Sequence, residues 1–437
     1  MPEAVAPVTP DTGAELVALM RDLYPLPRSL TGDGVRATLR RLDEILPLEV
    51  SEVATGTPVF DWTVPKEWNI AAAWIADANG RRLVDFEESN LHVLGYSVPV
   101  RTRMRGAELQ ERLHSLPEHP DWIPARTAYW AETWGFCVTQ RQRDAFEPDA
   151  EYEVCIDSRL EDGHLSYAEA LIPGRLEQEV LLSTYVCHPS LCNDNLSGIA
   201  VLALAGRALR ERELRYSYRL LFSPGTVGPL SWLSRNQERL ERIRHGVVVS
   251  CVGDPGVVRY KRSRRGTAEI DRVAAHVLGS RPGALVEDFV PWGGDERQFG
   301  SPGFDLPVGA LTRTPHGLYP EYHTSADDFT LVTAESLAGS LATLLEIVDV
   351  LERNVVYRST SPFGEPQLGR RGLYREISAG VPRAGETAQR ALMWVLNLAD
   401  GEHSLLDIAE RSELPFDLVA EAAQKLHDAE LLEEVAA

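Results

Sequence analysis

Apolar positions along this chain follow two different periods, and the period changes from one stretch to the next. Near the start they recur at helical intervals over Ala14–Tyr24 and Gly34–Ile45, with Pro25-Leu26-Pro27 between them to stop the first helix. From about Val53 to Pro124 the pattern turns into short β-like runs rich in aromatics, closed by the proline-rich Ser115–Pro124. From Val180 on, apolar runs of strand length (Val180–Val186, Arg219–Phe222, Val247–Val252) alternate with helical patterns (Leu196–Leu209, Leu230–Ile243, Ala268–Leu278). A further apolar run, Leu306–Leu311, precedes a long helix over Ala334–Arg353. This βαβα succession predicts an α/β fold whose sheet is mostly parallel, with helices on both faces. After the Pro/Gly-rich Ser361–Gly385 come three short amphipathic helices, Leu392–Leu398, Leu405–Ala409 and Leu418–Leu426, and a candidate strand, Leu431–Val435. The expected domains are a discontinuous α/β domain (1–52 and 125–360), a β-rich insertion or lid (53–124) and a C-terminal module (385–437).

Length and composition agree with that division. At 437 residues the chain is too long for one ordinary core, and 44 % hydrophobic with 25 % charged residues is the composition of a soluble globular protein. Acidic residues outnumber basic ones by 65 to 44, a formal charge of −21, which argues against a general affinity for nucleic acid or an anionic membrane. The C-terminal pattern resembles a winged helix, yet residues 385–437 hold twelve Asp/Glu and three Lys/Arg, so 3 − 12 gives −9. A recognition helix needs cations for phosphates. The module therefore reads as a protein-contact or homo-oligomerisation element. No apolar run reaches the roughly 18–20 residues that span a bilayer. The first residues lack the basic and apolar regions of a secretory signal, and the five cysteines are an odd number, so a cytoplasmic location with reduced thiols is expected.

In an open α/β sheet, ligands bind beyond the carboxyl ends of the strands. Candidate metal ligands recur there. Val180–Val186 runs into Cys187-His188, with Asp194 six residues after the histidine; Val247–Val252 runs into Gly253-Asp254; Leu306–Leu311 leads to Glu321-Tyr322-His323. Two imidazoles and two carboxylates suit zinc, which takes nitrogen and oxygen ligands and keeps one position open. Each residue also has a plainer reading. His188 and His323 could be satisfied loop residues, Asp194 a helix N-cap and Asp254 a turn residue.

His188-x5-Asp194-Asn195-x-Ser197-Gly198, an acidic residue after a later strand and Tyr322-His323-Thr324-Ser325 together resemble the zinc aminopeptidase superfamily, which includes the glutaminyl cyclases. More closely, the chain resembles a bacterial aminopeptidase-like family with a β insertion and a C-terminal winged helix, often labelled as polysaccharide-biosynthesis proteins. The matching stretches include Asp61–Asn69, Ser89–His92, Pro120–Pro124, Thr184–Gly198, Asp295–Gln298 and Tyr319–Ser325. The resemblance implies His188, Asp194 and His323 as zinc ligands, with Asp254 as an acidic ligand, and Thr226 in place of a second metal's ligand favours one Zn2+ per chain. The chain departs from the family at Ser223-Pro224-Gly225-Thr226, where dinuclear relatives carry two adjacent glutamates, a general base and a metal ligand. Replacement acids are Asp295, Glu296 and Glu321. Arg297 is a candidate for a substrate carboxylate, Trp62 and Trp68 for the roof of the cleft, and Gly225 for room beside it.

The expected function is zinc-dependent hydrolysis of an amide or peptide bond in a small metabolite or peptidyl substrate. The alternatives are acyl transfer or cyclisation on the same metal in biosynthesis, or a degenerate site that only binds.

Overall fold

The computed structural model describes residues 10–373 and 383–435. Its central sheet has eight strands: Glu49–Ala54 (β1), His164–Ile172 (β2), Glu179–Tyr185 (β3), Ser217–Ser223 (β4), Ile243–Val249 (β5), Arg259–Lys261 (β6), Leu285–Glu287 (β7) and Val308–Thr312 (β8). They lie in the order β1-β2-β4-β3-β5-β8-β6-β7. Four neighbouring strands, β4, β3, β5 and β8, run parallel, as do β6 and β7; β1, β2 and the β6–β8 pair are antiparallel. The sheet is thus mixed and mostly parallel. All seven residues of β3 are buried, as a strand with neighbours on both edges and helices against it must be. Its one charge, Glu179, is neutralised inside the sheet by Arg219 (2.6 and 2.9 Å), which also binds Glu169 of β2 (2.8 Å).

Several expected elements sit where the periodicity placed them, among them the helices Pro10–Leu23, Asp33–Asp43, Gly198–Arg210, Glu269–Gly279 and Ala334–Arg353. Two boundaries differ. The helix expected over Leu230–Ile243 is Val227–Arg235 followed by a tight turn, and β5 begins at Ile243 and ends at Val249. The apolar Cys251 and Val252 carry the expected strand three residues past its observed end, and the observed strand starts four residues earlier than expected.

A second, four-stranded antiparallel sheet orders Arg82–Asp85, Glu67–Ala76, Glu151–Glu161 and Val100–Arg105. Its longest strand, Glu151–Glu161, lies beyond the expected insertion boundary at 124. Charged residues alternate along it (Glu-Tyr-Glu-Val-Cys-Ile-Asp-Ser-Arg) and hide its buried face from an apolar scan. The core of this sheet, with Trp68, Tyr96, Phe136, Tyr152 and Ile156, continues into Tyr185 and Cys187 at the end of β3.

Residues 345–435 and 212–215 form a separate compact unit. It holds the helices Arg383–Leu398, Leu405–Ser412 and Phe416–Asp428 and a three-stranded sheet ordered Asp400–Ser404, Val356–Ser359, Leu432–Glu434. The middle strand, Val356–Ser359, precedes the expected start of the module at 385; four residues are too few to show a period. Ser404 caps the second helix, its hydroxyl accepting from the Asp407 amide (3.2 Å) while the Asp407 carboxylate accepts from the Ser404 amide (2.7 Å). Among the described residues no helix is long and apolar enough to cross a membrane.

Candidate metal centre

β3 ends at Tyr185 and delivers His188 to the carboxyl edge of the sheet. A wide turn, Cys192–Ser197, then carries Asp194 beneath it and leads into the Gly198–Arg210 helix. The turn is pinned from several sides. Both Asp327 carboxylate oxygens accept amides, from Asn193 (2.5 Å) and Asp194 (2.9 Å), and Asn195 Nδ2 donates to Thr184 Oγ1 (2.8 Å) and the Tyr185 carbonyl (3.0 Å). Gly198 has to be glycine, because a Cβ there would stand 2.5 Å from Asn195 Oδ1 and 2.6 Å from the Val249 carbonyl. His323 arrives from the loop after β8, in left-handed backbone at φ +54°. Its carbonyl accepts from the Ala125 amide (2.8 Å), and Ser325 exchanges two bonds with Ile123 (2.8 and 2.9 Å). The segment closing the insertion therefore straps the late histidine in place.

His188 Nε2, Asp194 Oδ2 and His323 Nε2 converge, all within 4.8 Å of one another. Asp194 Oδ2 lies 2.9 Å from His323 Nε2 and 3.7 Å from His188 Nε2. Both Asp194 Oδ2 and His323 Nε2 are buried, and apart from this close approach to each other neither has a hydrogen-bond partner. Buried nitrogen and oxygen atoms that face one another without other partners are what a cation's ligands look like, and this set fits zinc. Burial alone would raise the Asp194 carboxyl, but His188 and His323 hold it well below the carboxylate range. Burial drives His188 down to about 4, against the pull of Asp194, so at neutral pH its ring is in the uncharged form that ligates metal. His323 is pulled down by burial and up more strongly by Asp194, ending above its usual value.

Asp254 is not brought to this cluster. Its carboxylate accepts from Asn193 Nδ2 (3.0 Å), the Gly256 amide (2.8 Å) and the Thr314 amide and hydroxyl (3.1 and 2.6 Å). Because β5 stops at Val249, the residue facing the site at its end is Cys251, and Asp254 instead braces Asn193. With Asp194 Oδ1 and His316 Nε2, Cys251 forms a second convergent group. Sequence reasoning missed both residues; the usable signal was that each follows a strand end closely, two residues after β5 and four after β8. The Tyr185 hydroxyl stands amid this group, bonded to Asp194 Oδ1 and lying 2.9 Å from His316 Nε2 and 3.8 Å from Cys251 Sγ.

The candidate acids separate clearly. Asp295 is buried beside the Gly225–Thr226 turn, where Oδ1 accepts from the Thr226 amide (2.9 Å) and Oδ2 has no partner. Burial pushes its pKa up to about 7, partly offset by that amide. Glu296 is fully buried and paired with Lys261 (2.5 Å). Glu321 is half-buried and belongs to neither convergent group. Arg297 lies near enough to Asp295 to oppose that rise, but does not line the cavity beside His188. The room expected beside Gly225 is filled, since a Cβ there would meet Cys187 Sγ at 3.3 Å and the Tyr185 ring carbon at 3.8 Å. Trp62 is exposed, packed edge-on against Trp130 at 5.5 Å. Trp68 is buried, donates to the Ser97 carbonyl (2.9 Å) and lines the cavity that also holds His188 and His323.

The fold defines the class: an aminopeptidase-like α/β protein carrying a C-terminal winged helix. Over 78 % of this chain and 95 % of the other, it superposes on the zinc aminopeptidase of Bacillus subtilis with a TM-score of 0.56 at 12 % identity, a likeness of fold. Residues 17–354 match the family described as "Domain of unknown function (DUF4910)", and the chain belongs to that family; residues 355–434 match the winged helix-turn-helix family. A Clostridium acetobutylicum protein named "Putative polysaccharide biosynthesis protein with aminopeptidase-like domain" is 48 % identical over 425 residues, covering 97 % of this chain and 96 % of that one. A crystal structure of a "putative peptidase" from Clostridium acetobutylicum superposes with a TM-score of 0.92 at 47 % identity, over 98 % and 97 % of the two chains.

Proposed function

We propose that this protein is a zinc-dependent hydrolase of amide or peptide bonds, holding one Zn2+ on His188, Asp194 and His323. The observation that carries the reading is the convergence of three donor atoms within 4.8 Å, two of them buried and facing only each other. Zinc held there supplies a Lewis acid and lowers the pKa of water, to about 7 in well-known cases. The chain's own residues do the rest. Asp295 is the proposed general base, since Oδ2 is free and burial places its pKa near 7, where a base is most effective at neutral pH. The Thr226 amide fixes its orientation, and Asp327 and Tyr185 fix Asp194. One metal rather than two is supported by the Tyr185 hydroxyl, which fills the space among Asp194 Oδ1, Cys251 and His316. Purified protein loaded with zinc should hold close to one equivalent, falling to near zero in His188→Ala and His323→Ala; elemental analysis decides. Full-length protein that retains no zinc after metal-replete expression would overturn the reading. Acyl transfer or cyclisation on the same metal is favoured by one observation, the biosynthetic name of the 48 % identical relative. Product analysis separates it from hydrolysis, because only hydrolysis incorporates oxygen from labelled water.

A further inference from the structure

The cavity beside His188 and His323 has no carboxylate in its wall. Its apolar lining comes from Trp68, Phe86, Leu91, Val93 and Tyr129, and its two arginines are Arg28 and Arg126. Neither arginine is neutralised. Arg28 is buried, and its guanidinium donates to three carbonyl oxygens, those of His188 (2.8 Å), Leu23 (2.5 Å) and Pro189 (3.2 Å). Those dipoles satisfy its protons without cancelling its charge, and although burial lowers its pKa to about 10 it stays cationic at neutral pH. Arg126 is exposed on the cavity wall, and no ion pair among the described residues engages it. In a chain of formal charge −21, a cavity lined by two uncompensated cations and no carboxylate, with Asp194 behind the wall committed to His188 and His323, is a local reversal of sign.

A substrate presenting a free α-ammonium would meet two guanidinium groups there and no carboxylate in the lining. We infer that this cavity takes N-blocked, apolar or aromatic amides that carry a carboxylate, the N-acyl amino acid class, and discriminates against free amino termini. The inference rests on the hydrolase reading for where the scissile amide lies. The aromatic and aliphatic wall receives the apolar portion. Arg126, with its planar fork of donors, takes the carboxylate, and Arg28 supplies a fixed positive potential behind His188.

Calorimetric titration of the full-length, zinc-loaded protein with N-acetyl-L-phenylalanine and with L-phenylalaninamide tests this. The acylated anion is expected to bind at least about tenfold more tightly (1.4 kcal/mol), and Arg126→Ala, at an exposed position, to erase most of that preference while Arg126→Lys keeps part of it. Equal or tighter binding of L-phenylalaninamide, or an unchanged ratio in Arg126→Ala, overturns the assignment. The same titration on metal-free protein guards against a carboxylate merely binding zinc: the preference persists if the arginines cause it, and its complete loss there counts against them. Turnover is scored separately. A binding preference without any cleavage of N-acyl amino acids upholds this assignment and removes the hydrolase reading, whereas cleavage that favours amino-terminal substrates does the reverse.

Discussion

Asp194 and Asp295 are both buried aspartates, and their surroundings drive them in opposite directions. Two imidazoles keep Asp194 ionised, while Asp295, with one backbone amide as its partner, is held near 7 by burial. Asp295→Asn should therefore cost ~10²–10⁴-fold in hydrolysis while leaving zinc content intact. The wild-type rate should climb with pH through about 7, since the base works only when deprotonated, and that limb should vanish in the variant; a pH–rate profile of both proteins shows it. Stability carries the same signature with the opposite slope. A carboxyl whose folded pKa lies above its unfolded one of about 3.9 stabilises the fold most at low pH, and loses that contribution as pH rises toward 7. Denaturant midpoints of Asp295→Asn should be less pH-dependent between about 4 and 7 than those of the wild type. Tyr185 offers a test of metal count. Removing its ring in Tyr185→Ser should let cobalt titrate beyond one equivalent, with a thiolate-to-cobalt absorption band from Cys251. A titration that still stops at one would show that something other than the phenol excludes the second ion.

Among the elements, the strand ends set the site. β3 and β5 both stop just short of the turns that carry His188 and Cys251. The 123–125 segment matters as much, because its ladder to 323–325 holds His323 in a left-handed conformation it would not adopt alone. Ser325→Ala deletes one rung, the bond from the Ile123 amide, and should weaken zinc affinity by ~10-fold, the lower end for partners that orient ligands. Competition with a chelator of known affinity measures that shift. In the winged helix, Phe416–Asp428 buries Phe416, Val419, Ala423 and Leu426 and leaves one lysine, Lys425, for any phosphate. The isolated sequence charge of −9 predicts no retention of duplex DNA by the full-length protein at physiological salt. Salt-sensitive retention in a mobility-shift experiment would contradict this.

For the whole molecule, the proposed zinc site would link metal binding to the fold. A ligand that binds only the native state adds about 4 kcal/mol when free metal exceeds Kd a thousandfold. Chelation should lower the melting temperature of the wild type and leave His188→Ala nearly unmoved; differential scanning calorimetry with and without EDTA makes the comparison. The effect should concentrate in the unit formed by 10–211 and 216–344, which contains every proposed ligand.

The βαβα period and the acidic C-terminal module were legible in the sequence, because periodicity and charge are local properties of a chain; His188, Asp194 and His323 were singled out by the family resemblance, their spacing alone leaving plainer readings open. Glu151–Glu161 was not legible, since its apolar face alternates with charge and becomes a core only against Glu67–Ala76 and Val100–Arg105. Nor was the exchange of Asp254 for Cys251, where a three-residue change in the end of one strand decides which side chain faces the site. The Tyr185 hydroxyl at the second group, the strap on His323 and a carboxylate-free cavity between two arginines join residues far apart in sequence. Such contacts depend on which surfaces bury one another, and only the tertiary structure decides that.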